Sequence, residues 1–274
     1  MAEYAECGVC FRRCRLAEGR LGFCGGRIAR NGKAEAYNYG RISSLALDPI
    51  EKKPLARFFP GSRILSLGSW GCNMHCPWCQ NDHISRGRVR SVRILPEEII
   101  SRALELRSYG NIGIAYTYNE PTIMPEFIHD TAFPAHEQGL KNVLVTNGMT
   151  EPKILAELLP AIDALNIDLK TIRADAYARI GGDLDTVLEN IELSARSAHV
   201  EVTTLVVPGF NDSEEEMETL AETLARIDPV IPLHVTRFFP AGEMHDAAPT
   251  PVHTVYRLAE IARKRLKYVF TGNV

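Results

Sequence analysis

From Ile64 onward, short apolar runs alternate with stretches whose apolar residues recur at helical spacing. The runs Ile64–Leu67, Ile112–Tyr116, Val143–Thr146, Ala164–Leu169, Val200–Val207 and Leu233–Phe238 are predicted strands. They are short, and each is separated from the next by a stretch long enough for a helix. Helices are predicted between them. Leu95-Pro96-Glu97-Glu98 opens one, with proline in the first turn and acids near its positive end; Ile99, Ala103 and Leu106 share its apolar face. Ser213 to Glu216 has capping-box spacing ahead of Met217, Leu220, Ala221 and Leu224. Thr250-Pro251 opens another, with Val255, Leu258, Ala259, Ala262 and Leu266 inward, and Met124–Gln138 and Thr186–Ser197 complete the set. Strand and helix in alternation predict an α/β chain with a parallel sheet and right-handed crossovers, either doubly wound or closed toward a barrel.

The first part of the chain breaks this rhythm. Residues 1–60 read as a small cysteine-rich module and residues 61–274 as the α/β domain. Within the module, Arg27–Ala29 and Glu35–Tyr39 flank Asn31-Gly32, a strong hairpin signal. The segment Asp48-Pro49-Ile50-Glu51-Lys52-Lys53-Pro54-Leu55 leads to a turn at Phe58-Phe59-Pro60-Gly61.

Composition narrows the function classes. Apolar residues make up 45% and charged residues 24% of 274, which is ordinary for a globular domain. A formal net charge of -3 gives no reason to expect nucleic acid or an anionic membrane as partner. No apolar run is long enough to cross a bilayer, and the acidic start Met1-Ala2-Glu3-Tyr4-Ala5-Glu6 does not read as a secretory signal. The expected location is the cytoplasm, where clustered cysteines point to metal ligation rather than disulfides.

The seven cysteines form two groups. Cys72, Cys76 and Cys79 lie in Gly71-Cys72-Asn73-Met74-His75-Cys76-Pro77-Trp78-Cys79-Gln80-Asn81 with spacing C-x3-C-x2-C. Three thiolates can hold three corners of a [4Fe-4S] cluster and leave one iron open; Cys76 and Cys79 could also be half of a zinc site. The run directly follows the strand Ile64–Leu67, which puts it at a carboxyl strand end. Cys7, Cys10, Cys14 and Cys24, spaced C-x2-C-x3-C-x9-C among Gly8, Gly19, Gly22, Gly25 and Gly26, read as a second, closed site. Zinc, an auxiliary iron–sulfur cluster and unligated thiols all remain open there. Arg12, Arg13 and Arg15 are expected to be solvated, or alternatively to offset thiolate charge.

Other strand ends carry polar groups. Tyr118-Asn119-Glu120-Pro121 follows the second strand, Thr146-Asn147-Gly148 the third, and Asn166-Ile167-Asp168-Leu169-Lys170 the fourth. Pro208-Gly209-Phe210-Asn211-Asp212 follows the fifth, and the sixth ends His234-Val235-Thr236-Arg237-Phe238-Phe239-Pro240. A carboxylate and an amide can bind an ammonium group, and Lys170, Arg237 or His234 an anionic or peptidic substrate.

The cysteine run, with Trp78 before its last cysteine, resembles the radical S-adenosylmethionine (SAM) superfamily. That resemblance implies a partial (βα)6 barrel with chemistry at the carboxyl strand ends. It implies a [4Fe-4S] cluster on Cys72, Cys76 and Cys79, and SAM bound at the open iron. The superfamily's Gly-Gly-Glu-Pro segment corresponds to Tyr118-Asn119-Glu120-Pro121, with both glycines replaced. Thr-Asn-Gly, Asp-Leu-Lys and Val-Pro-Gly segments are similar to those of glycyl-radical activating enzymes. Trp78, Asn119, Glu120, Asn147 and Asp168 are therefore expected near SAM, and Lys170 and Arg237 near the substrate. The Cys7–Cys24 pattern, the Asp48–Pro54 segment, Thr236-Arg237-Phe238-Phe239-Pro240 and the final Thr271-Gly272-Asn273-Val274 together resemble the radical enzyme of the AmmeMemoRadiSam system, long labelled pyruvate formate-lyase activating enzyme-like. Longer members continue past this point with a cysteine-bearing tail, and any site in that tail is expected to be absent.

The resemblance implies reductive cleavage of SAM to a 5′-deoxyadenosyl radical that takes hydrogen from a substrate. A one-electron donor such as a flavodoxin or ferredoxin is implied, with Memo-like or AMMECR-like proteins as further partners. Alternatives are a glycyl-radical enzyme activase and a non-catalytic zinc-binding interaction protein.

Overall fold

The computed structural model describes residues 4–87 and 89–274. Residues 1–3, half of the acidic start read against a secretory signal, and Arg88 lie outside the described residues.

One sheet organises the chain. Its strands are β1 (Ser44–Pro49), β2 (Arg63–Gly68), β3 (Asn111–Tyr116), β4 (Lys141–Thr146), β5 (Ala164–Asp168), β6 (His199–Val206), β7 (Leu233–Arg237) and β8 (Val269–Gly272), adjacent in chain order. β1 runs antiparallel to β2, and every later neighbour is parallel. Among the described residues β1 and β8 do not pair, so the sheet is a partial barrel. The six expected strands are present. β8 adds a seventh parallel strand, and β1 includes the start of the segment read as a lead into a turn.

Helices α1 (Asp82–Arg86), α2 (Pro96–Glu105), α3 (Pro125–Glu137), α4 (Pro152–Leu158), α5 (Ala174–Arg179), α6 (Leu184–Ala195), α7 (Glu214–Ile227) and α8 (Val252–Ala262) connect the strands. The caps are those the sequence implies. Ser213 Oγ accepts from the Glu216 amide at 3.2 Å at the start of α7, and the Glu98 carboxylate accepts from the Leu95 amide at 2.6 Å at the start of α2. No helix among the described residues is long and apolar enough to cross a membrane.

Alternation along the strands separates two interiors. Leu65, Leu67, Ile114, Leu144, Leu165, Ile167, Val202 and Val235 belong to the core that packs against the helices, each contributing about 1.5–3 kcal/mol when fully buried. Ile64, Ala115, Val143 and Ala164 instead meet Ile50, Leu55 and Phe58 from the β1–β2 connection. This connection forms the floor of the barrel. Asn166 Nδ2 donates to the Pro54 carbonyl at 2.8 Å, and Glu201 accepts from the Ala56 and Arg57 amides at 2.9 and 2.8 Å. Gly113 is required where β3 meets β4, since a Cβ there would lie 1.8 Å from the Lys141 carbonyl oxygen.

In the N-terminal region Arg27–Arg30 pairs with Lys33–Ala36 through the Asn31-Gly32 turn, both turn residues having positive φ. The second hairpin strand is thus Lys33–Ala36 rather than Glu35–Tyr39.

Candidate active site and cysteine centres

All the parallel strands point their carboxyl ends the same way, and the loops leaving those ends meet on one rim. The cysteine loop leaves β2 and passes through Gly71 (φ +93°) to Cys72. Cys72 and Cys76 are packed against the core. Burial pushes both thiols up, Cys76 to about 11, and Cys72 is raised further by the Glu120 charge. Cys72, Cys76 and Cys79 act on one another electrostatically, as neighbours do. The Met74 amide and Asn147 Nδ2 point at the Cys72 sulfur from 3.4 and 3.5 Å.

The Glu120 carboxylate is 3% exposed and knits two loops together. Its Oε1 accepts from the Thr122 amide (3.1 Å), Thr122 Oγ1 (2.7 Å) and Thr146 Oγ1 (2.7 Å), and its Oε2 from the Asn147 amide (2.8 Å). Burial still raises its pKa. Asn119 is similarly engaged: Oδ1 accepts from the Ser69 amide at 2.8 Å, and Nδ2 donates to the Gly71 carbonyl at 3.1 Å. Asn147 Nδ2 also donates to Asn73 Oδ1 at 2.8 Å. These three side chains shape the rim through bonds to protein.

Asp168 and Lys170 form an ion pair at 2.9 Å beside Cys76. Burial opposes the charge on Lys170, but Asp168 and then Cys76 outweigh it and hold the ammonium charged. Asp168 is 36% exposed, the more open partner. The Tyr177 hydroxyl accepts from the Lys170 amide at 3.1 Å and fixes this turn. Trp78 is buried with its indole 4.6 Å from the Phe210 ring. Arg237 Nε donates to the Thr250 carbonyl at 2.7 Å, and its guanidinium lies 4.7 Å from the Phe239 ring. His234 sits low in the barrel, its Nε2 2.6 Å from Glu201, and is not part of the rim.

Cys7, Cys10, Cys14 and Cys24 line one small cavity together with Arg12 and Asn73. Burial raises Cys10 to about 11 and also raises Cys24, whose sulfur is faced by the Gly26 and Arg27 amides. Among the described residues no three His, Cys, Asp or Glu side chains converge closely enough to hold a single metal ion. A cluster makes a different demand, because each cysteine meets its own iron.

The two cysteine groups adjoin, which the sequence spacing did not convey. A Cβ at Gly71 would lie 2.3 Å from the Cys24 carbonyl oxygen. Asn73 Nδ2, buried without a full hydrogen bond, lies beside the Cys10 sulfur and favours its thiolate form. Arg12, expected to be either solvated or near the thiolates, bridges the groups: Nε donates to the Asn73 carbonyl and Nη2 to the Gly181 carbonyl, both at 2.7 Å. Its guanidinium stacks 3.6 Å from the Phe23 ring, leaving it half-buried. Arg13 pairs with Glu151 at the surface. An asparagine directly after the first motif cysteine was the available signal for Asn73.

Comparison with known proteins agrees with this arrangement. The profile of the Radical SAM superfamily matches residues 69–224. An uncharacterized protein of Methanocaldococcus jannaschii is 40% identical, across 98% of this chain and 81% of its own length. The pyruvate formate-lyase-activating enzyme of Clostridium pasteurianum is 26% identical across 57% of this chain and 67% of its own. The crystal structure of QueE from Escherichia coli superposes with a TM-score of 0.53 over 85% of this chain and 93% of that one, at 14% identity, a likeness of fold alone. With its three-cysteine loop on the rim of a partial barrel and this profile across more than half its length, the chain belongs to the radical SAM superfamily.

Proposed function

We propose that the chain cleaves SAM reductively at a [4Fe-4S] cluster held by Cys72, Cys76 and Cys79, to start hydrogen abstraction from a substrate not yet identified. The observation that carries this is the donor set: three mutually close, half-buried thiols on the rim, two of them packed against the core, with hydrogen-bond donors on Cys72 and the Lys170 charge beside Cys76. Thiolates drawn partly out of water are disfavoured without a cation, so this set suits a cationic iron centre with one position left open. When bound, the cluster supplies one-electron cleavage of SAM to methionine and a 5′-deoxyadenosyl radical.

The chain's own groups orient and exclude water. Glu120, Asn119 and Asn147 fix the loops that border SAM. Asp168 accepts a ribose hydroxyl or an amine, Trp78 borders the adenine, and Lys170 and Arg237 face the substrate. A flavodoxin or ferredoxin supplies the electron. Of the zinc or iron–sulfur centre expected on Cys7, Cys10, Cys14 and Cys24, an iron–sulfur cluster next to the first suits the four side chains better, since no three of the described ligands converge on a single ion.

A narrower reading of the same chemistry is the activation of a glycyl-radical enzyme, which relatives named as activating enzymes favour. The finer assignment to the AmmeMemoRadiSam subgroup, with Memo-like or AMMECR-like partners, rests on the sequence segments alone.

The test is 5′-deoxyadenosine formation by anaerobically reconstituted protein with dithionite and SAM, measured by mass spectrometry against Cys76→Ala. Product above that control is expected. Iron and SAM binding in Cys76→Ala equal to the wild type would sink the assignment.

A further inference from the structure

Tyr118 stands where the superfamily segment has a glycine, and its backbone is left-handed at φ +71°. A bulky residue holds that conformation only when its surroundings over-determine it. Three contacts do so. Asn81 Nδ2 donates to the Tyr118 carbonyl at 2.9 Å, the Tyr118 hydroxyl donates to Asp48 Oδ2 at 2.6 Å, and the Lys53 ammonium lies 4.6 Å from the ring centroid. Lys53 is 2% exposed and pairs with Asp48 Oδ2 at 2.9 Å.

The contacts span the barrel from end to end. Asp48 sits opposite Ile64, at the amino end of β2, and Lys53 belongs to the floor connection. Tyr118 follows the carboxyl end of β3, with Gly68 beside it; a Cβ on Gly68 would lie 2.7 Å from the Thr117 carbonyl oxygen and 2.9 Å from Tyr118 Cβ. The side chain of Tyr118 therefore descends inside the barrel past Ser66 to an ion pair in the floor. Burial opposes the charge of Asp48, but the bonds from Tyr118 and Lys53 outweigh it and bring its pKa down to about 2. The carboxylate is a fixed anion to which the hydroxyl is anchored.

We infer that the Asp48–Lys53 pair and Tyr118 form a positioning strut, which sets residues 118–120 against the cysteine loop without the usual glycines. The turn carries the Glu120 amide to the Gly71 carbonyl at 3.3 Å and the Asn119 side chain to Ser69 and Gly71. This gives a role to the Asp48-to-Pro54 segment, which the cluster chemistry does not use. That the turn borders SAM rests on the proposed function; that the strut holds the turn does not.

Hydrogen exchange by mass spectrometry on the reconstituted protein separates the two claims. Tyr118→Phe keeps the ring and removes only the anchored hydroxyl. It is expected to speed exchange of the Asn119 and Glu120 amides about tenfold or more, the usual effect of losing a bond to a charged group, while peptides from β4 and β5 stay unchanged. Asp48→Asn, which keeps the shape of the acceptor, is expected to do the same to a smaller extent. The dissociation constant for SAM should rise in parallel, with iron content unaltered. Unchanged exchange at residues 119 and 120, or an equal rise across the sheet, overturns the strut. If the wild type binds no SAM, the functional reading falls and the exchange result still decides the strut.

Discussion

Asn147 Nδ2 bridges the Cys72 sulfur and Asn73 Oδ1, at 3.5 and 2.8 Å. One amide thus touches a proposed cluster ligand and the residue that faces the neighbouring cysteine group. Donors to ligand sulfur favour the more negative, reduced state of an iron–sulfur centre. Asn147→Ala is expected to keep its iron but lower the reduction potential, read by a redox titration followed by electron paramagnetic resonance. An unchanged potential would mean the amide only spaces the loops.

Gly71 separates Cys24 from Cys72 by the width of a hydrogen atom side chain. Both its positive φ and the 2.3 Å approach to the Cys24 carbonyl exclude alanine without movement. Gly71→Ala is expected to lower metal content at both cysteine groups together, measured by elemental analysis of the purified variant. Loss at the Cys72 group alone would show that the groups are adjacent but mechanically independent.

The fully buried Glu201 ties the floor to two strands. Burial raises its pKa, but bonds from His199, His234 and the Ala56 and Arg57 amides outweigh this and take it from an ordinary 4.5 to about 2. A carboxylate depressed in the folded state adds stability above its unfolded value, and loses it as the pH falls through the folded one. The contribution should therefore be full above about pH 4.5 and fade toward pH 2. Glu201→Ala is expected to cost about 3–5 kcal/mol at pH 7 and visibly less at pH 3, by urea unfolding. An equal cost at both values would remove the ionic explanation.

Beyond β7, the short turn Gly242–Met244 lies on the cysteine loop. The Glu243 amide donates to the Pro77 carbonyl at 2.7 Å, and its carboxylate receives His75 and Arg86. These groups are largely exposed, so Glu243→Ala is expected to leave thermal stability nearly unchanged. Loosening the cover should nonetheless speed bleaching of the cluster absorbance in air. Wild-type bleaching kinetics would show that the turn shields nothing.

The parallel strands from Ile64 to Leu233 were legible because each is a short run with apolar anchors between stretches of helical spacing. β1 and β8 were not. They are edge strands, half-buried and mixed in polarity, and an Asp-Pro pair masks the end of β1. That Cys72, Cys76 and Cys79 share one loop at a carboxyl strand end was readable from their place directly after an expected strand. The engagement of Glu120 was not, because its partners Thr122, Thr146 and Asn147 come from two different loops. The work of Arg12 was hidden for the same reason: Asn73 and Gly181 lie far along the chain.

The sequential strand order has a consequence for how the chain is made. Each strand finds its neighbour in the segment synthesised just before it, so the sheet can grow outward from β2 as the chain emerges. The floor is the exception. Pro54, Ala56 and Arg57 appear early but are claimed by Asn166 on β5 and Glu201 on β6. Until those strands arrive, the barrel is open underneath and Ile50, Leu55 and Phe58 lack part of their cover. In pulse-labelling during refolding, the Ala56 and Arg57 amides should gain protection after those of β3 and β4, marking floor closure as a late step of assembly.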